Sequence, residues 1–244
     1  EGDSTQKIVK LTVDGTITAG GSSGLFASEG YNHENFMEQL KAVEEDPTVK
    51  GIFLEVNSPG GGVYESAEIA KKLDTIRKEH DIPMYVSMKN MAASGGYYIS
   101  AQADKIFATE ETVTGSIGVI MSGLNYSGLL EKLGVEDTTV KSGALKDMGS
   151  GTRPETKEEE AVLQAYIDSA YQRFVRIVSE GRNKSEEAVK KIADGRIYDG
   201  VQAKEVGLVD ELGFPEDALQ AMRKEQKLED AELVEYSSPS SGFA

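Results

Sequence analysis

Twice in this chain an apolar, strand-like run ends in a glycine-rich turn and passes at once into a helical period. Val49–Val56 leads into Asn57-Ser58-Pro59-Gly60-Gly61-Gly62, after which Ser66, Ile69, Ala70, Leu73 and Ile76 recur at helical spacing. Pro83–Met88 leads into Met91-Ala92-Ala93-Ser94-Gly95-Gly96-Tyr97-Tyr98 and a short helical run through Ile99 and Ala101. Strands alternating with helices predict an α/β fold of βαβ units on a mostly parallel sheet. In such a sheet both turns leave the carboxyl edge of their strands, where sites form.

The remaining segments continue the pattern. Lys7–Val13 alternates charged and apolar residues and reads as a strand, followed by a Gly- and Ser-rich loop from Asp14 to Gly30. Asn32 is placed to cap a helix over His33–Glu45 with Phe36, Leu40 and Val43 on one face. Further strands are expected at Lys105–Ala108, at Val135–Val140 and, as the last core strand, at Leu208–Leu212, while Thr112–Val119 reads only as an apolar, glycine-punctuated stretch. Helices are expected at Ser127–Leu133, Glu155–Ser179, from Ser185 and over Pro215–Lys227. With no fixed-period repeat and no internal Pro/Gly-rich linker, residues 1–236 read as a single domain, and 237–244 as a loose tail.

Charge removes some function classes. The 42 acidic residues against 26 basic ones give a net charge of −16, the wrong sign for nucleic acid or for anionic lipid. Without cysteine there is no disulfide, thiolate nucleophile or Cys-ligated metal. No apolar run reaches the length of a membrane span, and a first residue of Glu1 suggests that a preceding segment was removed.

Ser94 sits among small residues at a strand-to-helix junction, where free backbone N–H groups would face whatever its hydroxyl attacks. It reads as a nucleophile. The amides of Gly61 and Gly95 could converge on one developing oxyanion, each such donor being worth about 3 kcal/mol in the transition state. For the base, His33 and His80 lie among polar neighbours and read as surface residues, and the Ser94 context is not G-x-S-x-G. A desolvated lysine is the alternative. Composition does not choose among the lysines; Lys146, in the loop Lys141–Ser150, is the best local candidate.

Taken together, the Asn57–Gly62 turn, Ala92–Tyr98, Thr114-Gly115-Ser116-Ile117-Gly118-Val119, the Lys141–Asp147 segment, Gly195–Gly200 and Gly207–Gly213 resemble the signal peptide peptidase A family of serine proteases. The resemblance extends in order from the first strand to about Phe214. It implies a ClpP/crotonase-like α/β fold with repeated ββα/βαβ units, and a Ser–Lys dyad. Carried over, Ser94 is the nucleophile, Lys146 the general base, Gly61 and Gly95 the oxyanion hole, and Ser116 the hydroxyl orienting the lysine amine. The other reading of Ser116 is a turn hydroxyl bonded to its own backbone. Leu145 and Gly151 depart from the residues that relatives often carry beside the lysine.

The resemblance further implies a homo-oligomer, a ring or dome (an octamer), with sites at protomer contacts, and no cofactor or metal. It implies remnant signal peptides as substrates, an N-terminal membrane anchor outside this chain and a catalytic domain on the extracytoplasmic side. The tail ending Gly242-Phe243-Ala244 is a conceivable pseudo-substrate. Two rivals share the fold: a crotonase-type acyl-CoA enzyme and a non-catalytic scaffold.

Overall fold

The computed structural model describes residues 5–20 and 30–236. Part of the Asp14–Gly30 loop and the whole 237–244 tail lie outside the described residues. The chain divides into two compact units, one made of residues up to Gly118 together with those from Phe174 onward, the other of Val119–Arg173.

The first unit is built on a parallel sheet. Strand β1 (Lys7–Asp14) is followed by helix α1 (His33–Glu45), β2 (Val49–Ser58), α2 (Val63–Glu79), β3 (Met84–Ala93), α3 (Gly95–Tyr98), β4 (Lys105–Ala108) and β5 (Val113–Gly115). The cap anticipated from sequence is in place: the Asn32 side chain accepts from the Asn35 amide at 2.9 Å, and Phe36, Leu40 and Val43 are buried on α1. On α2 the buried positions are Ser66, Ile69, Ala70, Leu73 and Ile76.

In the second unit lie α4 (Ser127–Lys132) and the start of α5 (Lys157–Arg182). The expected strand at Val135–Val140 is absent. Val140 is 98% exposed and Val135 half exposed, so no buried face favours an extended pairing. Instead the Asp137 carboxylate accepts from the Thr139 amide at 2.9 Å and from the Thr152 hydroxyl at 2.5 Å, local bonds that compete with a ladder.

Back in the first unit come α6 (Glu186–Ile192), β6 (Ile197–Tyr198), α7 (Gly200–Glu205), β7 (Glu211–Leu212), α8 (Pro215–Glu225) and β8 (Glu232–Glu235). Leu208–Leu212 is neither a full strand nor the last one. Only Glu211 and Leu212 pair, with β4, because Leu208 and Val209 turn back on α7 through bonds from their amides to the Ala203 carbonyl. The last strand is β8, whose Glu-Leu-Val-Glu is too short and too charged to stand out in sequence.

The sheet order is β6-β5-β3-β2-β1-β8, with β4 pairing β3 and β7, and every pairing is parallel except β5 with β6. Strand β3 lies at the centre. Tyr85, Val86 and Ser87 pair with β4, and farther along the same strand Met91, Ala92 and Ala93 pair with β5. The buried cluster Ile8, Phe53, Tyr85, Phe107, Ala218, Met222, Leu228 and Ala231 joins α8 to one sheet face. A side chain at Gly51 would strike Met222 and Leu228, so that glycine lets the helix close on β2. The sheet's carboxyl edge, carrying the ends of β2 and β3, is thereby held by packing on strands buried along most of their length.

Candidate active site

Strand β3 delivers Ser94, half-buried, to the first turn of α3. Its backbone adopts φ 53° and ψ −120°, a region rarely occupied by residues with a side chain and costing about 1–3 kcal/mol. Neighbouring bonds impose that conformation. The Ser94 amide donates to the Gly115 carbonyl at 2.9 Å, extending the β3–β5 ladder, while its carbonyl accepts from the amides of Tyr97 and Tyr98 at 2.9 Å each. Tyr97 is fully buried, and its hydroxyl donates to the Leu208 carbonyl at 2.8 Å. Burial raises the pKa of that phenol, so it remains a donor. Thr114 ties the incoming strand by donating to the Ala92 carbonyl at 2.6 Å.

The turn after β2 lies directly against this junction. A side-chain carbon at Gly60 would fall 2.5 Å from the Gly95 amide nitrogen and 3.0 Å from the Ser94 Cβ. One at Gly95 would fall 3.3 Å from the Gly61 nitrogen and 2.5 Å from the buried Ser66 hydroxyl oxygen. Ile17 clamps the same turn: its amide donates to the Gly60 carbonyl at 2.9 Å, and its carbonyl accepts from the Gly62 amide at 2.8 Å. Gly61, at φ 155°, has no room for a side chain, which would overlap the Ile17 carbonyl oxygen. Among the described residues the N–H groups of Gly61 and Gly95 have no hydrogen-bond partner. Two unspent amide donors beside a serine hydroxyl form an arrangement able to hold an oxygen that gains negative charge.

Ser116 is half-buried and left-handed at φ 49°, directly after Gly115 at φ 79°. Its amide donates to the Arg196 carbonyl at 2.8 Å, and its hydroxyl has no hydrogen-bond partner among the described residues. The Gly195–Gly200 segment thus buttresses the site, with the Tyr198 ring packed where a Gly115 side chain would be. Nothing in the sequence reading assigned it that place.

Ser94, Gly61, Gly95 and Ser116 all belong to the first unit, and Lys146 to the second. Lys146 lies in a run of turns, its amide donating to the Gly143 carbonyl at 3.1 Å. Its side chain is exposed, and its amine has no hydrogen bond or ion pair among the described residues. The next residue, Asp147, is instead fully engaged with Lys141 and Arg153. That network escaped the sequence reading, although Thr156 and Glu159, spaced as a capping box, carried its signal.

The histidines need one correction. His80 is exposed, as expected, but His33 is buried. Its Nδ1 lies 2.6 Å from the Tyr31 hydroxyl and its Nε2 2.8 Å from the Glu68 carboxylate, so it fastens α1 to α2. Its place on the first turn of α1, beneath the Tyr31 ring, removes it from water despite polar sequence neighbours. Neither histidine bonds Ser94 among the described residues.

Residues 76–229 match the model of peptidase family S49, and residues 27–114 match that of Clp protease. A protein of Enterococcus faecium that bears the name signal peptide peptidase SppA is 63% identical over 244 residues, covering 100% of this chain and 71% of that protein. A Methanocaldococcus jannaschii protein named as a protease is 44% identical over 213 residues, covering 87% of this chain and 68% of its own length. Among solved structures, a point mutant of ClpP1 from Listeria monocytogenes superposes with a TM-score of 0.51 at 18% identity, over 86% of this chain and 94% of that one. At that identity the likeness is one of fold, the ClpP-like α/β architecture.

Proposed function

Since the chain belongs to peptidase family S49 and is a serine protease, we propose that it cleaves extended apolar peptides, remnant signal peptides among them, with Ser94 as nucleophile and Lys146 as general base. The observation that carries this is the strained Ser94 beside the amides of Gly61 and Gly95, which have no hydrogen-bond partner among the described residues. The Ser94 oxygen bonds to the peptide carbonyl carbon while its proton passes to neutral Lys146 Nζ. The carbonyl electron pair moves onto oxygen, facing the two amides. Collapse of the intermediate breaks the C–N bond, and the proton goes to the departing amine. Water then attacks the acyl-enzyme, giving its proton to Lys146, and Ser94 leaves reprotonated.

A neutral lysine at ordinary pH needs shelter from water, and nothing within its own unit covers Lys146. A bound apolar peptide and a second copy of the chain are the covers that fit the proposal. Several large apolar side chains of the second unit are exposed, Ile120 and Leu124 at 85% each, as expected of a surface used in assembly. The proposed assembly is a ring or dome of eight chains in which Ser94 and Lys146 of one site come from neighbours. Among the described residues no helix is long and apolar enough to cross a membrane. Anchoring through a segment preceding this chain, with the catalytic part on the extracytoplasmic side, completes the reading.

Hydrolysis of a fluorogenic peptide with small apolar residues tests it. Ser94→Ala and Lys146→Ala are each expected to abolish turnover while remaining folded, and mixing the two is expected to restore part of it. Full activity of Lys146→Ala would remove the dyad. Failure of the mixture to recover would place both residues of a site in one chain.

A further inference from the structure

Asp147 directly follows Lys146, and its carboxylate is claimed from two sides. Arg153 Nε donates to Oδ2 at 2.9 Å and Nη2 to Oδ1 at 2.8 Å, and Lys141 Nζ donates to Oδ1 at 2.8 Å. The same guanidinium faces Glu159, with Nη1 donating to Oε2 at 2.9 Å and Nη2 bonded to Oε1. The Glu159 side chain is 1% exposed. It also accepts from the Thr156 amide at 2.8 Å, and the Thr156 hydroxyl accepts from the Glu159 amide at 3.2 Å, a reciprocal cap at the start of α5. Arg153 therefore fastens the turn that carries Lys146 to the first turn of a 26-residue helix.

We propose that Arg153 is a positioning residue for Lys146: its two-bond fork on Asp147, braced by Glu159, sets the backbone from which the lysine projects and keeps the adjoining carboxylate occupied. The inference rests on Lys146 being the base. Electrostatics supplies the reason. A carboxylate left free beside an amine stabilises the ammonium and spoils the base, typically by about 1–3 pH units. Here Asp147 faces two cations, Lys141 and Arg153, Glu159 shares the Arg153 guanidinium, and Asp137 is taken up by Thr139 and Thr152. A planar fork serves this purpose better than an ammonium, because both carboxylate oxygens are held in one geometry.

The test is kcat and kcat/KM for peptide hydrolysis against pH, for the unmodified chain, Arg153→Met, Asp147→Asn, the double variant and Lys146→Ala, with circular dichroism to verify folding. Arg153→Met is expected to lower kcat about 10²-fold with little change in KM, as a misplaced catalytic group does. It should also move the acid limb of the profile up by about one pH unit, as a carboxylate left to Lys141 alone favours the ammonium. Asp147→Asn, which sets an amide N–H against the guanidinium, should lower kcat without raising the limb. The double variant should bring the limb back while kcat remains low. Either single variant, folded and with unchanged kcat and profile, overturns the proposal. Should Arg153→Met fail to fold because Glu159 is stranded, Asp147→Asn decides alone, since it leaves the Arg153–Glu159 pair intact. An inactive Lys146→Ala beside an unaffected Asp147→Asn removes only the clamp, whereas a fully active Lys146→Ala removes the base and the clamp with it.

Discussion

At Ser94 the chain stores strain where the proposed chemistry needs an exposed hydroxyl. A residue with a Cβ at φ 53° and ψ −120° is held there by the Gly115 carbonyl and by the amides of Tyr97 and Tyr98. Glycine adopts that backbone without penalty. Ser94→Gly is therefore expected to abolish hydrolysis yet stabilise the fold by about 1 kcal/mol, strain relief exceeding the added freedom of the unfolded chain. Thermal unfolding of the two proteins measures this, and a variant that melts lower than the parent would show that the conformation is not strained. The residue scale is also where the sequence spoke most directly. Gly60, Gly61 and Gly95 are required by close approach of two backbones, and that requirement is written in residue type. The same logic failed for His33, because the distant Glu68 on α2 and the Tyr31 ring two residues before it together bury it.

Among the elements, α5 begins on an ionic knot whose strength depends on pH. Hydrogen bonds from Arg153, then the Thr156 amide, hold the Glu159 carboxyl at about 2 against an ordinary 4.5, and Arg153 and Lys141 hold Asp147 below its usual range. Both folded-state values are depressed. The stability they contribute is thus complete above the ordinary carboxylate range and is lost as pH falls toward 2. Amide exchange or limited proteolysis across residues 141–160 should show little change from pH 8 to 5 and progressive opening from about 4.5 downward. Equal protection at pH 2.5 and pH 6 would mean that the knot contributes nothing to local order. Elements with a long apolar period, α1, α2 and β2, were legible because burial repeats along them. Short ones such as β6 and β8 were not, since two to four residues carry no period and are strands only by virtue of their partners, whereas β7 is the end of the longer strand expected at Leu208–Leu212.

For the molecule as a whole, the proposed assembly predicts that activity depends on concentration. If Ser94 and Lys146 of one site come from neighbouring chains, specific activity should fall on dilution as mass, followed by light scattering, drops from the octamer toward the single chain. Specific activity that stays constant while the mass falls would place the whole site in one chain.

Sequence alone determined the βαβ alternation, the two glycine turns with Ser94 at the second, Asn32 as a helix cap, and the buried stripes of α1 and α2. Each is a local consequence of residue type or periodicity, so each is visible in a short window. Only the tertiary structure decided that β3 meets β4 and β5 in succession, that Ile17 locks the Gly61 turn and that Ser94 is forced to positive φ. It also decided that Arg153 ties Asp147 to α5 and that Val135–Val140 is no strand. Most of these are settled by contacts between residues far apart in the chain or by the lack of a buried face; the Asp147–Arg153–Glu159 ties span six residues each, and their local signal is the capping-box spacing of Thr156 and Glu159.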